Sequence, residues 1–274
     1  MKISKTHELW HMDIHAVSAD SWSKLSLTEL KKTYESYNEI RLFLENKSFI
    51  KGKKFIEIGC ATGELYRYLK AFHREFQYFG FDISEPAIRR AKEKYPQGNF
   101  FLNEEDLSDI ISKNLSPSVV FERDVNPHQP NPFELLAKVI SIPTEAAILR
   151  LRTRDRGETV LDPQLSCKWH YSKWAPYMVL NIDECIEKIR QTVHFEALYI
   201  VKHYQQLGGH HSRFLPKECY YPETGTAETA IYIRLAKEEI LNPEIIIRER
   251  VDGNPKFSLL DRATGIIERR ILRK

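Results

Sequence analysis

The chain has 274 residues, enough for one large α/β domain with additions or for two small domains. Hydrophobic residues make up 42% and charged residues 29%, as in an ordinary soluble globular protein, and a net charge of +3 is too small to argue for a nucleic-acid partner. The 4 cysteines (Cys60, Cys167, Cys185, Cys219) form no C-x-x-C pair, so neither a zinc cage nor a disulfide framework is indicated, and no apolar run reaches the length of a membrane span.

Residues 1–25 are expected to be irregular. The first 22 are polar and rich in His and Trp and lack the apolar core of a signal peptide, which leads to a cytoplasmic expectation. From Leu27 to Glu45 the residues Leu27, Leu30, Tyr34, Tyr37, Ile40 and Leu44 recur near helical spacing, with Ser26 or Thr28 as the cap. Strand and helix signals then alternate. Strands are expected at 54–58, 77–82, 99–102, 118–123 and 145–152, and helices at 63–73, 85–95, 105–113 and 132–140. That rhythm predicts βαβ units and a parallel sheet with helices on both faces, and Pro96, Pro117 and Pro143 fall between elements. Residues 156–177 read as a loop, 183–192 as a helix, and 195–203 and 230–236 as strands around a long loop carrying Gly208, Gly209, His210 and His211. Turn signals at 252–255 and 262–265 predict a three-strand meander over 244–272. Such a ribbon is marginal alone, so it is expected to pack on the domain or to form a homodimer contact. The resulting division is 1–50 as an N-terminal helical segment and lid, 51–240 as the main domain, and 241–274 as a C-terminal β extension.

The most informative stretch is Lys54-Phe55-Ile56-Glu57-Ile58-Gly59-Cys60-Ala61-Thr62-Gly63-Glu64. A buried strand here turns sharply into a helix and exposes backbone N–H groups to a ligand. Gly59 and Gly63 sit where a Cβ obstructs the turn. Asp82 ends the next strand-like run, placed to hydrogen-bond the two hydroxyls of a ribose. The spacing is G-x-A-x-G with Glu57 two residues ahead, and the dinucleotide fingerprint G-x-G-x-x-G is not present.

This pattern resembles motif I of the class I S-adenosylmethionine-dependent methyltransferases. Phe81-Asp82-Ile83-Ser84 resembles the family's second motif. Phe100-Phe101-Leu102-Asn103-Glu104-Glu105-Asp106-Leu107 resembles its third, where an acid or amide approaches the adenine. The run from Val119 to Val125, with Glu122 and Arg123, resembles its fourth strand. The resemblance implies a Rossmann-like sheet of seven strands, the last two antiparallel, and S-adenosylmethionine as cofactor. It places Gly59, Cys60, Ala61 and Gly63 around the methionine portion, Glu57 near its amino group, Asp82 and Ile83 at the ribose, and Glu105 or Asp106 at the adenine.

Methyl transfer from a sulfonium needs alignment, a dry site and, for a hydroxyl acceptor, a base. His128, just past the fourth strand in a proline-rich turn, is the first candidate for that base, with ordering of the loop or packing on the cofactor edge as the alternative. Asp124 is the second. Trp169 and His170 are expected to line an acceptor pocket, with surface packing as the alternative. Arg150, Arg152 and Arg154 share one face of a strand. Arg152 or Arg154 is expected to bind an anionic acceptor, or else to form a salt-bridged sheet end with Glu122, Asp155 or Glu158. His203, His210 and His211 match no metal motif, so no metal is expected. The post-strand stretch Asn126-Pro127-His128 lacks the N-P-P-aromatic element of base amino-methylating enzymes and a Pro-Cys nucleophile. These features point to a small-molecule acceptor, with oxygen ahead of nitrogen. The alternatives are a nucleic-acid or protein methyltransferase, or a non-catalytic binding protein on the same fold.

Overall fold

The computed structural model describes residues 12, 16, 20–103, 107–113, 115–116, 118–170, 173–207, 213–214 and 224–251. After a 3-10 turn at Asp20–Lys24 come α1 (Leu27–Tyr34), α2 (Asn38–Glu45) and α3 (Lys47–Ile50). The alternating core follows as β1 (Lys54–Ile58), α4 (Glu64–Phe72), β2 (Gln77–Asp82), α5 (Glu85–Lys94), β3 (Asn99–Leu102), α6 (Ser108–Ser112), β4 (Ser118–Arg123), a 3-10 turn at Asn126–His128, α7 (Pro132–Ser141) and β5 (Ala146–Arg154). Then come β6 (Cys167–His170), β7 (Lys173–Pro176), β8 (Leu180–Asn181), α8 (Ile182–Thr192), β9 (Phe195–Tyr204), β10 (Arg213–Phe214), β11 (Ala227–Leu235) and β12 (Glu244–Val251).

The main sheet has the order β12-β9-β11-β5-β4-β1-β2-β3, with β8 added beside β5, nine strands in all among the described residues. Strands β1 to β5 pair in parallel, and β11 runs antiparallel between β5 and β9. The alternation of side chains divides the core into two layers. Phe55, Tyr78, Phe121, Ile148 and Tyr232 face α1, α2 and α4, where they pack with Leu30, Phe43 and Tyr68. Ile56, Ile58, Val120, Leu149 and Ile231 face α7 and α8, with Leu136, Val139 and Ile189. Fully burying side chains of this size stabilises by about 1.5–3 kcal/mol each before chain entropy is counted.

Three expectations differ from the fold. The helix expected over 27–45 is two helices, because Tyr37 is extended (φ −80°, ψ 139°) and turns its ring onto Trp22 and two arginines. Ser26 caps α1 in a reciprocal box with Glu29, with Ser26 N to Glu29 Oε2 at 2.8 Å. The stretch expected as a loop over 156–177 contains the hairpin β6–β7, which with β10 makes a small separate sheet. The first strand of the expected meander, β12, instead extends the main sheet parallel to β9, where Lys202 bridges Asp155 and Glu249. The rest of that meander, residues 252–274, lies outside the described residues, as do His210 and His211.

Candidate active site

Strand order reverses between β1 and β4, and the crevice beyond their carboxyl ends is where open α/β sheets bind ligands. A cavity of about 400 Å³ lies there, within the size range of small-molecule sites. One end is the glycine turn. Gly59 has φ +78°, and a Cβ there meets Val125 Cγ2 at 2.3 Å. Gly63 has φ +83°, and a Cβ there meets the Phe100 ring at 2.8 Å. The N–H groups of Gly59 and Cys60 donate to Phe81 O at 2.8 and 3.0 Å, which bends the chain back over β2. Ala61, itself at φ 45°, donates its N–H to Asp82 Oδ2 at 2.8 Å, and Ser84 N donates to Asp82 Oδ1 at 2.8 Å. Asp82 therefore fixes the turn while lining the cavity.

Strand alternation gathers the charges. Glu57, two past Phe55, and Arg123, two past Phe121, sit on the same sheet face as Arg150 and Arg152, two and four past Ile148. The carboxyl of Glu57 accepts from Tyr78 Oη. Burial pushes Glu57 up to about 8 against the hydrogen bond from Tyr78 and the charge of Arg123, while Asp82 adds to the rise. Asp124, at φ 61°, lies 2.7 Å from Arg152 and 3.3 Å from Arg150. Burial works to raise its carboxyl, but Arg152, Arg150 and Arg123 hold it far below the usual carboxylate range. Arg150 also pairs with Glu228 and with Glu39 at 3.6 Å. Arg152 donates Nε–H to Tyr177 Oη at 3.0 Å. His128 donates from Nδ1 to the Pro176 carbonyl at 2.9 Å, because a carbonyl can only accept. Burial pushes His128 down to about 4, so it is neutral near pH 7.

The cavity brings together Glu57, Gly59, Cys60, Ala61, Asp82 and Ile83 at one end and Asp124, His128, Arg152 and His170 at the other, with Arg123 also on its wall. Gly63, Glu122, Arg154 and Trp169 are not among the residues that line it. Gly63 starts α4 behind the turn. Glu122 is on the opposite sheet face, where it accepts Val125 N at 2.6 Å and Asn126 N at 2.9 Å; burial pushes it up to about 7. Arg154 is buried beside Gly157. Trp169 is 44% exposed and packs edge-on against Trp174. The carboxylate partners of Arg152 are Asp124 and Glu228, not the Glu122, Asp155 or Glu158 that the salt-bridged alternative for Arg152 or Arg154 names, and Arg150 pairs with Asp124, Glu228 and Glu39. Glu105 and Asp106 lie outside the described residues.

Sequence reasoning missed Trp22, Tyr34, Lys168 and Tyr177 as cavity residues. The first two reach it from the N-terminal layer and the last two from the hairpin side, and no local motif marks either. Asn103 falls in the stretch that resembles the third motif; it lines the cavity, and its buried Oδ1 has no hydrogen-bond partner among the described residues. Among the described residues no group of three His, Cys, Asp or Glu side chains is arranged to hold a metal.

The raised carboxyls have a thermodynamic consequence. The folded state holds the protons of Glu57 and Glu122 more tightly than the unfolded chain, whose carboxyls titrate at about 4.5. Their stabilising contribution is complete below that value and is lost as pH rises through about 7 to 8. The groups acting on Glu57 are Tyr78 and Asp82 from β2, Cys60, Arg123 from β4 and Tyr34 from α1. Melting of the free protein is expected at lower temperature near pH 8 than near pH 5, with Glu57→Gln flattening the trend. A Glu57→Gln profile as steep as wild type would contradict it.

Comparison with known proteins agrees with this geometry. A family profile described as a methyltransferase domain matches residues 30–178, just over half of the chain. The chain belongs to that family, and its fold is the Rossmann-like fold of the class I S-adenosylmethionine-dependent methyltransferases. No curated protein matches in sequence. Among solved structures, the N-terminal domain of EvdMO1, crystallised with SAH bound, is similar at 12% identity and TM-score 0.51, over 72% of this chain and 81% of that one. The CurJ carbon methyltransferase is similar at 15% identity and TM-score 0.51, over 85% of this chain and 62% of that one. The [4+2]-cyclase SpnF is similar at 9% identity and TM-score 0.52, over 86% and 98%. At such identities the likeness shows the fold alone.

Proposed function

We propose that the protein transfers a methyl group from S-adenosylmethionine to an oxygen of an anionic small molecule. The residues fit the cofactor: an acid at the end of β2 for the ribose, a turn that tolerates no added Cβ, and the unpaired amide oxygen of Asn103 for an adenine amino group. When bound, the cofactor supplies an electrophilic methyl on a sulfonium that departs as a neutral thioether. Glu57, Gly59 and Ala61 would hold the methionine portion, and Ile83 and Leu107, which line the same cavity, the nucleoside.

The observation that carries the acceptor class is the opposite wall, where Lys168 and Arg152 stand beside His128, His170 and Tyr177. Lys168 adds positive charge to this wall, and Arg152, although paired with Asp124 and Glu228, keeps its Nη1 without a hydrogen bond among the described residues, which favours an anion there. The hydrogen bond to Pro176 leaves Nε2 of His128 as the lone-pair nitrogen. A base held near 4 is poorly matched to an unactivated alcohol at neutral pH, and its bare Nε2 can accept from a hydroxyl but cannot donate to a carboxylate, so an oxygen that arrives ionised is held by the cations of this wall and not by His128. Asp124, fixed between two arginines, serves to hold them and not to take a proton. Carboxylates, acidic phenols and amines assayed with methyl-labelled cofactor test this reading. Carboxylates or acidic phenols are expected to be labelled, and Lys168→Ala is expected to raise the acceptor KM roughly 10-fold or more with cofactor affinity unchanged. Labelling of neutral amines alone, or an unmoved KM, would count against it.

A further inference from the structure

A row of polar side chains crosses the main sheet away from the cavity. Arg152 on β5, Glu228 on β11, His203 on β9 and Arg250 on β12 stand side by side in register, so all four project from the sheet face that packs against α1 and α2. The first lines the main cavity, and the other three line a second one of about 250 Å³. Its floor is Ala230, one row further in, where a small side chain sits between Arg150 and Val201. Its roof is the corner between α1 and α2, with Ser36, Asn38 and Glu39. Glu39 is only 2% exposed, and its Oε1 has no hydrogen-bond partner among the described residues. Arg150 Nη1 lies 3.6 Å from that oxygen, beyond hydrogen-bond reach.

The lining selects against most ligand classes. Two arginines, Arg150 and Arg250, stand with two carboxylates, Glu39 and Glu228. A simple anion is set against the carboxylates and an ammonium against the arginines. Ala230 is the only wholly aliphatic side chain of the lining, and the Tyr37 ring is taken up by Arg123 and Arg150, each at 4.8 Å, so an apolar ligand finds little surface. Asn38 and Gln205 carry amides that both donate and accept, and the Ser36 hydroxyl does the same. A hydroxyl-rich molecule matches such a mixed lining, because each of its groups also donates and accepts. The volume falls just under the range of drug-sized sites and so suits a single small ring.

We propose that this second cavity binds a small polyhydroxylated ring, a monosaccharide or cyclitol, whose hydroxyls are held by Asn38, Glu39, Gln205 and Glu228. The site lies apart from the cofactor crevice and does not depend on the acceptor reading. It touches the acceptor wall through Glu228, which pairs with Arg150 and lies 3.7 Å from Arg152.

Ligand-observed NMR titration of the full chain tests the site. The probes are D-glucose, D-galactose, D-mannose and myo-inositol, with inorganic phosphate and glycine as the anionic and zwitterionic contrasts. Saturable binding of at least one polyol is expected, at one per chain. Gln205→Ala and Asn38→Ala are each expected to weaken it roughly 10-fold. Both side chains are partly exposed, so both variants are expected to melt like wild type. Lys168→Ala, in the main cavity, is expected to leave polyol binding unchanged. Three results would each overturn the proposal: polyol binding lost in Lys168→Ala but kept in Gln205→Ala, binding of phosphate or glycine but of no polyol, or no binding of any probe.

Discussion

Asp82→Ala is expected to lower S-adenosylhomocysteine affinity at least about 100-fold while the protein still melts cooperatively, because it removes two charge-assisted hydrogen bonds worth about 1.5–3 kcal/mol each. The carboxylate has two tasks. Its oxygens hold Ala61 N–H and Ser84 N–H, both at 2.8 Å, and so keep the glycine turn closed over β2. A carboxylate oxygen can accept more than one hydrogen bond, so a ribose hydroxyl can share it with the backbone. Asp82→Asn separates the tasks. One acceptor oxygen survives, so the loss is expected to be about 10-fold, intermediate between wild type and Asp82→Ala. Affinity in the Ala variant within a few-fold of wild type would show that the ribose is held elsewhere.

Gly59→Ala is expected to destabilise the protein by about 2–4 kcal/mol, combining a left-handed backbone angle with overpacking. The glycine sits at φ +78°, and the added Cβ falls 2.3 Å from Cγ2 of Val125. Val125 is short and β-branched, so it has no flexible end to swing away, and its own N–H is tied to Glu122. The strain is therefore passed to the backbone on both sides of the cavity, and ligand affinity is expected to fall as well. Thermal melts should show a drop of very roughly 5–15 °C for a domain of this size. At Gly52, also at positive φ but with nothing within 4 Å of an added Cβ, the same substitution should cost only the backbone term. Equal melting temperatures for the two variants would mean that Val125 yields freely.

The elements built from local periodicity were legible before the structure. β1 to β4 end within the residues expected, since each is a short apolar run bounded by turn chemistry. Glu57, the glycine turn and Asp82 were legible because their spacing along one βαβ unit dictates where they meet. Residues brought in from distant elements were not legible. Trp22 joins the cavity through Arg67, 45 residues away, and Lys168 through a hairpin that reads as loop because Lys, His and Trp alternate without an apolar face. Strand β12 was misplaced because an edge strand of isoleucines and charges fits a free ribbon as well as a sheet edge. Glu122 followed its motif but not its face, since one residue's shift along a strand turns it to the opposite layer.

The account stands most directly on titration of the wild-type chain with S-adenosylhomocysteine at neutral pH. It predicts saturable binding of one ligand per chain, displaced by S-adenosylmethionine. A cooperatively melting protein that binds neither would contradict it.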